Sequence, residues 1–260
     1  MKPNYKSLYK MPINEGSAFF KFVVSVLRIF VINRKVDRVS EGEEYIPERS
    51  SDPKKSSAIV IAPHMSDWDS LFATELVTRR GRMPRIFAKA SLWKIPVVKQ
   101  AFESGRLIPV ERGTSHAKDS LGEAIKAIAE GDIVFIFPEG TISKDPESWP
   151  MTCKTGAARL ALATGSKIIP IMQDGAQFLN KNNSRDVSWF SKMWSKELNR
   201  PLVHLKVYPP IHLDGSVDNL EDVEKANQKI ENILTKIVEE NRGAKAPARW
   251  NPKLKGRING

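Results

Sequence analysis

From residue 57 onward the chain alternates short β-branched runs with stretches of helical periodicity, and this alternation restricts it to an α/β fold with a largely parallel sheet flanked by helices. Strands are expected over residues 58–62, 85–88, 107–110, 133–137, 167–172 and 203–207. Helices are expected over 67–78, 92–102, 117–130, 155–164 and 219–240. A length of 260 residues with 41% hydrophobic and 27% charged side chains suits one large core rather than a fibrous or disordered chain. The expected domain is 57–242. Residues 41–56, rich in charge, Pro and Ser, read as a linker, and 243–260 as an irregular basic tail.

The net charge of +11 is unevenly placed. Residues 1–40 hold 8 Lys/Arg against 2 Asp/Glu, residues 243–260 hold 5 against none, and the rest is neutral at 28 against 28. Ends of this kind suit a polyanionic surface. From Ala18 to Ile32 runs AFFKFVVSVLRIFVI, which as a helix would rise roughly 22 Å, short of a hydrocarbon core of roughly 30 Å. Lys21, Ser25 and Arg28 share a narrow stripe of that helix, with phenylalanines and valines around the rest. Segment 1–40 therefore reads as an amphipathic helix lying in a membrane interface, with Arg34, Lys35 and Arg38 placed for anionic head groups. Packing on the domain core is the other reading of the same apolar face. A single cysteine, Cys153, forms no internal disulfide and fits a reducing compartment. Together these features point to the cytoplasmic face of a membrane, with a peripheral or monotopic attachment.

Two strand ends carry chemistry, where sites collect in α/β sheets. The first is Ala62-Pro63-His64-Met65-Ser66-Asp67-Trp68-Asp69. A carboxylate five residues after His64 can fold back onto one ring nitrogen, orienting a general base. Ser66 to Asp69 also fits a helix capping box, in which Asp69 serves only backbone donors. The second is Phe137-Pro138-Glu139-Gly140-Thr141, a carboxylate on a stiff turn beside a glycine.

His-x4-Asp followed about seventy residues later by Phe-Pro-Glu-Gly-Thr resembles the glycerolipid acyltransferases, specifically the 1-acylglycerol-3-phosphate acyltransferase family. Two further family blocks resemble Gly105-Arg106-Leu107-Ile108-Pro109-Val110-Glu111-Arg112 and Ile168-Ile169-Pro170-Ile171, in the expected order. The chain departs from the pattern at Glu111, where Asp is commoner, and at Ile142, where Arg often stands. The resemblance implies His64 and Asp69 as the catalytic couple. It implies Arg112 and Lys154 as phosphate holders, Glu139 as the residue that orients the glycerol, and Gly140 and Thr141 as close contacts. The reaction it implies is transfer of an acyl group from acyl-CoA or acyl carrier protein to lysophosphatidic acid at an anionic membrane surface. No cofactor beyond that co-substrate, no metal and no nucleic acid is expected.

Between Arg79 and Arg112 nine Lys/Arg face only Glu103 and Glu111, a basic window suited to coenzyme A phosphates, an acidic carrier or head groups. Direct transfer is expected rather than an acyl-enzyme, because no Gly-x-Ser-x-Gly elbow is present and Cys153 is isolated. The competing readings are an acyltransferase for another lysophospholipid or glycolipid, a metal-dependent hydrolase built on His64, Asp67 and Asp69, and a nucleic-acid-binding protein.

Overall fold

The computed structural model describes residues 17–111, 117–175, 177 and 200–258. Seven strands form one sheet: β1 (Asp37–Glu41), β2 (Ala58–Ile61), β3 (Pro84–Lys89), β4 (Ile108–Val110), β5 (Ile133–Ile136), β6 (Ile168–Asp174) and β7 (Leu202–Val207). Their order is β1-β7-β6-β2-β5-β3-β4. From β6 to β4 every pairing is parallel; β7 lies antiparallel to β6, and β1 parallel to β7. The expected strands are thus present within about two residues at each end.

The helices are α1 (Ala18–Val26), α2 (Asn33–Lys35), α3 (Pro53–Ser56), α4 (Asp69–Arg79), α5 (Pro96–Ser104), α6 (Ala117–Ala129), α7 (Gly156–Thr164) and α8 (Leu220–Arg242). Both faces of the sheet are covered, which is why β2 and β5 are buried at every residue instead of alternating. Along β2, Ala58 and Val60 face a core built with Phe72, Leu76 and Val77 of α4. Ile59 and Ile61 face a second core with α6, α7 and α8, through residues such as Ala124, Leu160 and Ile230.

Ser17 caps α1 by accepting the Phe20 N–H at 3.1 Å, and the helix continues through π-helical turns at Leu27–Ile32 into α2. Its inner face packs on the domain through Phe20, Val24 and Ile32, while Phe19, Phe22 and Ile29 stay exposed. Among the described residues no helix is long and apolar enough to cross a membrane. Two of the cations expected to meet head groups are turned inward instead. Lys35 is buried with its ammonium 5.6 Å from the centre of the Trp68 ring, and the buried Arg38 guanidinium pairs with Glu75 at 2.6 Å. A desolvated guanidinium needs that carboxylate, so the segment is pinned by charge pairing as well as by apolar contact.

The linker and the tail read from sequence both prove structured. Residues 41–56 complete β1, bury Ile46 and Ser56, and form α3. They are tied down by Arg82, a buried hub whose guanidinium donates to the carbonyls of Pro47 (2.9 Å), Ser56 (2.9 Å) and Gly131 (2.7 Å). Arg82→Met would leave three carbonyls without that donor; a loss of roughly 3 kcal/mol or more in unfolding free energy is expected from urea titration. In the tail, β8 (Arg249–Asn251) pairs with β9 (Gly256–Ile258) as a hairpin. The hairpin is fastened to the domain by Arg249 on Glu231 (2.7 Å) and Arg257 on the buried Asp145 (3.0 Å). Lys245, Lys253 and Lys255 remain exposed.

Candidate active site

Adjacent parallel strands bring the two motifs together. Ala58 pairs with Ile133 and Ile61 with Ile136, so the loops leaving β2 and β5 emerge side by side at the carboxyl edge of the sheet. The loop after β5 then holds His64 at three points. The His64 N–H donates to Glu139 Oε1 at 2.8 Å, its carbonyl accepts the Ser143 N–H at 2.7 Å, and its ring stacks on Phe137 with centroids 4.0 Å apart.

Asp69, the first residue of α4, is wholly buried. Its Oδ2 lies 3.0 Å from His64 Nδ1 and also accepts the N–H groups of Met65 (2.6 Å) and Ser66 (2.7 Å). Oδ1 accepts the Ser66 hydroxyl at 2.7 Å. The capping reading and the orienting reading are therefore both realised by one carboxylate: it ties off the loop before α4 and, with the oxygen so fixed, aims the imidazole. An acidic group at a helix N-terminus is also favoured by the helix dipole. With Nδ1 engaged, Nε2 is the nitrogen left to serve the cavity that His64 lines.

That cavity, of roughly 640 Å3, is walled mainly by apolar side chains from α1, α4, β3, α5 and α6, with Lys89, Lys154 and Arg159 as its cations. Gly140 stands at its wall with φ +69°, and a Cβ there would come within 3.1 Å of the Lys154 side chain. Glycine thus serves both the left-handed backbone and the close passage of Lys154. The Lys154 N–H donates to the Pro138 carbonyl at 2.9 Å, fastening the lysine's own loop to the same turn.

Other expected site residues fall differently. Glu139 does not line the cavity. Its carboxylate is buried beneath the site, with Oε1 on His64 and Oε2 accepting the Met151 N–H at 2.9 Å. The expected contact with a glycerol is therefore replaced by a grip on two backbone amides. Burial, opposed by those two donors and reinforced by the Asp69 charge, pushes its carboxyl up to about 8. Thr141 is half-buried outside the cavity lining, and Arg112 lies outside the described residues. Ile169 and Ile171 are core residues of β6. Cys153 is turned from the cavity, its N–H on Glu231 at 2.6 Å; burial, and next the nearby Glu139 and Glu231, push its thiol well above the ordinary value.

The basic window is largely consumed within the fold. Arg79 is buried against Glu43 and Glu75, Arg80 meets Glu48, and Arg85 and Arg106 share Glu130 and Asp132. Those carboxylates come from outside the window and pair four of its arginines. Lys89, Lys94, Lys99 and Arg106 are its exposed members, Arg106 while paired with Glu130 and Asp132. Arg159 had no motif to mark it, although a helical spacing of four from Thr155 places both at one wall of the cavity. Among the described residues no group of three or more His, Cys, Asp or Glu side chains is placed to hold a metal ion.

Similarity to known proteins falls on this same region. The chain is 28% identical over 173 residues to a chloroplastic 1-acyl-sn-glycerol-3-phosphate acyltransferase, LPAT1, of Arabidopsis thaliana, covering 66% of this chain and 43% of that protein. It is 33% identical over 125 residues to the 1-acyl-sn-glycerol-3-phosphate acyltransferase of Borreliella burgdorferi, covering 46% of each. The chain spans about half the length of the curated relatives it matches. Among solved structures, the 1-acyl-sn-glycerophosphate (LPA) acyltransferase PlsC from Thermotoga maritima superposes with a TM-score of 0.62 at 23% identity, over 95% of this chain and 88% of that one, which is a likeness of fold. A family model described as Acyltransferase matches residues 37–173. That match runs from β1 into β6, takes in more than half of the 260 residues and contains both motifs, so the chain belongs to the acyltransferase family.

Proposed function

We propose that the protein moves a fatty acyl group from an acyl thioester to the free hydroxyl of lysophosphatidic acid, giving phosphatidic acid. The observation that carries this reading is the buried Asp69 on Nδ1 of a histidine that borders a largely apolar cavity with cations in its wall. The relatives named for this reaction support the choice of acceptor.

In the proposed reaction His64 Nε2 takes the proton of the acceptor hydroxyl as its oxygen attacks the thioester carbonyl. Asp69 stabilises the imidazolium. The tetrahedral intermediate collapses, the C–S bond breaks, and the proton passes from His64 to the departing thiolate. No acyl-enzyme forms. Lys154, with Lys89 and Arg159 also lining the cavity and Arg112 as expected from sequence, would hold phosphate; Lys supplies a compact charge and Arg a planar fork. The donor is acyl-CoA or acyl carrier protein. The exposed Phe19, Phe22 and Ile29, together with Leu92, Ile95 and Val97 at the start of α5, offer apolar side chains to a lipid surface at the cytoplasmic side.

The test is to incubate the protein with acyl-CoA, lysophosphatidic acid and vesicles and to follow free thiol. Release that requires the acceptor and persists in a chelator is expected. Other lysophospholipids and glycolipids in place of lysophosphatidic acid decide the head group. Acceptor-independent release would overturn transfer, and loss on chelation would favour a metal-dependent hydrolase.

A further inference from the structure

We propose that Arg242, the last residue of α8, is a positioning residue that holds the His64 loop in place by clasping the ends of three neighbouring strands. The inference rests on the reading of His64 as the base. A cation in the last turn of a helix ordinarily serves that helix's own carbonyls and dipole. Arg242 directs its donors elsewhere. From a largely buried side chain, one terminal nitrogen donates to the Glu147 carbonyl at 3.0 Å. The other lies 3.4 Å from each of three acceptors, the Ser148 carbonyl, Met65 Sδ and Asp174 Oδ1. The guanidinium carbon stands 4.8 Å from the centre of the Trp149 ring, a cation on an aromatic face.

These partners come from three strands that lie side by side as β6-β2-β5. Asp174 ends β6, Met65 sits in the loop after β2, and residues 147–149 in the loop after β5. All lie toward the carboxyl edge on which the site is built. Met65 follows His64 directly, and its N–H is one of those held by Asp69. Residues 147–149 reach the same peptide group from its carbonyl side. The Trp149 carbonyl accepts the Ser143 hydroxyl at 2.6 Å, and the Ser143 N–H donates to the His64 carbonyl at 2.7 Å. One guanidinium thus stands behind both ends of the peptide that joins His64 to Met65.

The 143–149 loop depends on such a partner. Asp145 Oδ1 accepts the N–H groups of Glu147 (2.9 Å) and Trp149 (3.4 Å), and the carbonyls of Glu147 and Ser148 turn to Arg242. Between them Ser148 adopts φ 58°, a left-handed backbone that is strained for any residue but glycine and persists where surrounding contacts enforce it. A lysine ammonium is one compact charge, whereas the planar fork of arginine meets carbonyls, thioether and carboxylate together. Arg242 lies outside all four motif blocks, and only the packing of α8 against β6 brings it here.

The experiment measures kcat and KM for Arg242→Met and Arg242→Lys by thiol release, each alone and combined with His64→Ala, and amide exchange at His64 and Ser143 by NMR. Without the clasp the His64 backbone shifts with its loop, so kcat of Arg242→Met should fall about tenfold or more while KM for both substrates stays unchanged. In the His64→Ala background the same substitution should lower the rate no further, because it acts through the imidazole. The His64 and Ser143 amides should exchange faster than in wild type. Arg242→Lys keeps a charge for Asp174 and should show the same pattern to a smaller degree; it stands in where Arg242→Met does not fold. A folded variant with wild-type kcat would overturn the proposal. An equal fall with and without His64 would overturn it too, since that marks loss of folded protein. A wild type without transfer activity overturns the reading of His64 as the base; exchange then decides the clasp, and unchanged protection at His64 and Ser143 in the folded variants overturns it.

Discussion

Removal of the imidazole in His64→Ala is expected to lower acyl transfer by about 10^2 to 10^4-fold, the range typical of a positioned general base, and to leave the fold in place. The fold survives because the contacts that hold residue 64 are mostly main-chain: its N–H on Glu139 and its carbonyl on Ser143 are retained by alanine. Only the stacking on Phe137 and the Nδ1 bond are lost. Asp69→Asn separates charge from geometry. An asparagine placed with its carbonyl oxygen where Oδ2 stands can still accept from His64, Met65 and Ser66, and the Ser66 hydroxyl can turn to accept from the amide. What it lacks is the negative charge that stabilises the imidazolium, so kcat should fall on the order of 10^2-fold or more with a melting temperature near that of wild type. Equal activity of wild type and His64→Ala in the thiol-release assay would remove the base from the mechanism.

The second large effect is expected at Glu139, whose carboxylate lies outside the cavity lining and holds the His64 backbone. Glu139→Gln puts an amide NH2 against either the His64 or the Met151 N–H, leaving one buried donor without its acceptor, a cost of about 1–3 kcal/mol. A small displacement of the His64 backbone carries the ring with it, and misplacement of about 1 Å is worth on the order of 10^2-fold in rate. The loss should fall on kcat. A residue that oriented the glycerol would instead raise KM for the acceptor, so the two roles are separable by steady-state kinetics. The carboxyl also leaves a signature in stability. Its folded value near 8 lies above the ordinary 4.5, so the unfolded chain gives up this proton first as pH rises. Glu139's contribution to stability is thus fully present below about 4.5 and is lost as pH rises through about 8. Urea unfolding across that window should show the advantage of wild type over Glu139→Gln shrinking with pH, and a constant difference would contradict the burial-driven shift.

These residues also show what a sequence can and cannot convey here. His64 and Asp69 were legible because the whole of their interaction is local: five residues at a strand-to-helix junction. Glu139 was legible as a position but not as a direction. Whether its carboxylate meets a ligand or a neighbouring loop depends on β2 lying beside β5, and strand order is not written in strand spacing. The basic window misled for the same reason, since the carboxylates that neutralise it arrive from α4, the 41–56 segment and the α6–β5 turn. β1 escaped notice because Asp-Arg-Val-Ser-Glu offers one apolar residue, and its pairing along β7, not its composition, makes it a strand. Phe20 could be placed on a helix face with Val24 and Leu27 by spacing alone; the close approach of its ring to Gly105, where a Cβ would lie 2.5 Å away, could not.

The edge pairing of β1 with β7 carries a consequence for how the chain is made. Asp37 is joined to Leu202, so a segment that leaves the ribosome early waits for one that leaves late. The corner that receives Phe20, formed by Gly105 and Leu107, is synthesised in between. The strand that follows α1 therefore closes only when translation has passed residue 207. Nascent chains from which residues 202–207 have not emerged should leave the β1 backbone open to protease, and chains long enough to expose them should protect it.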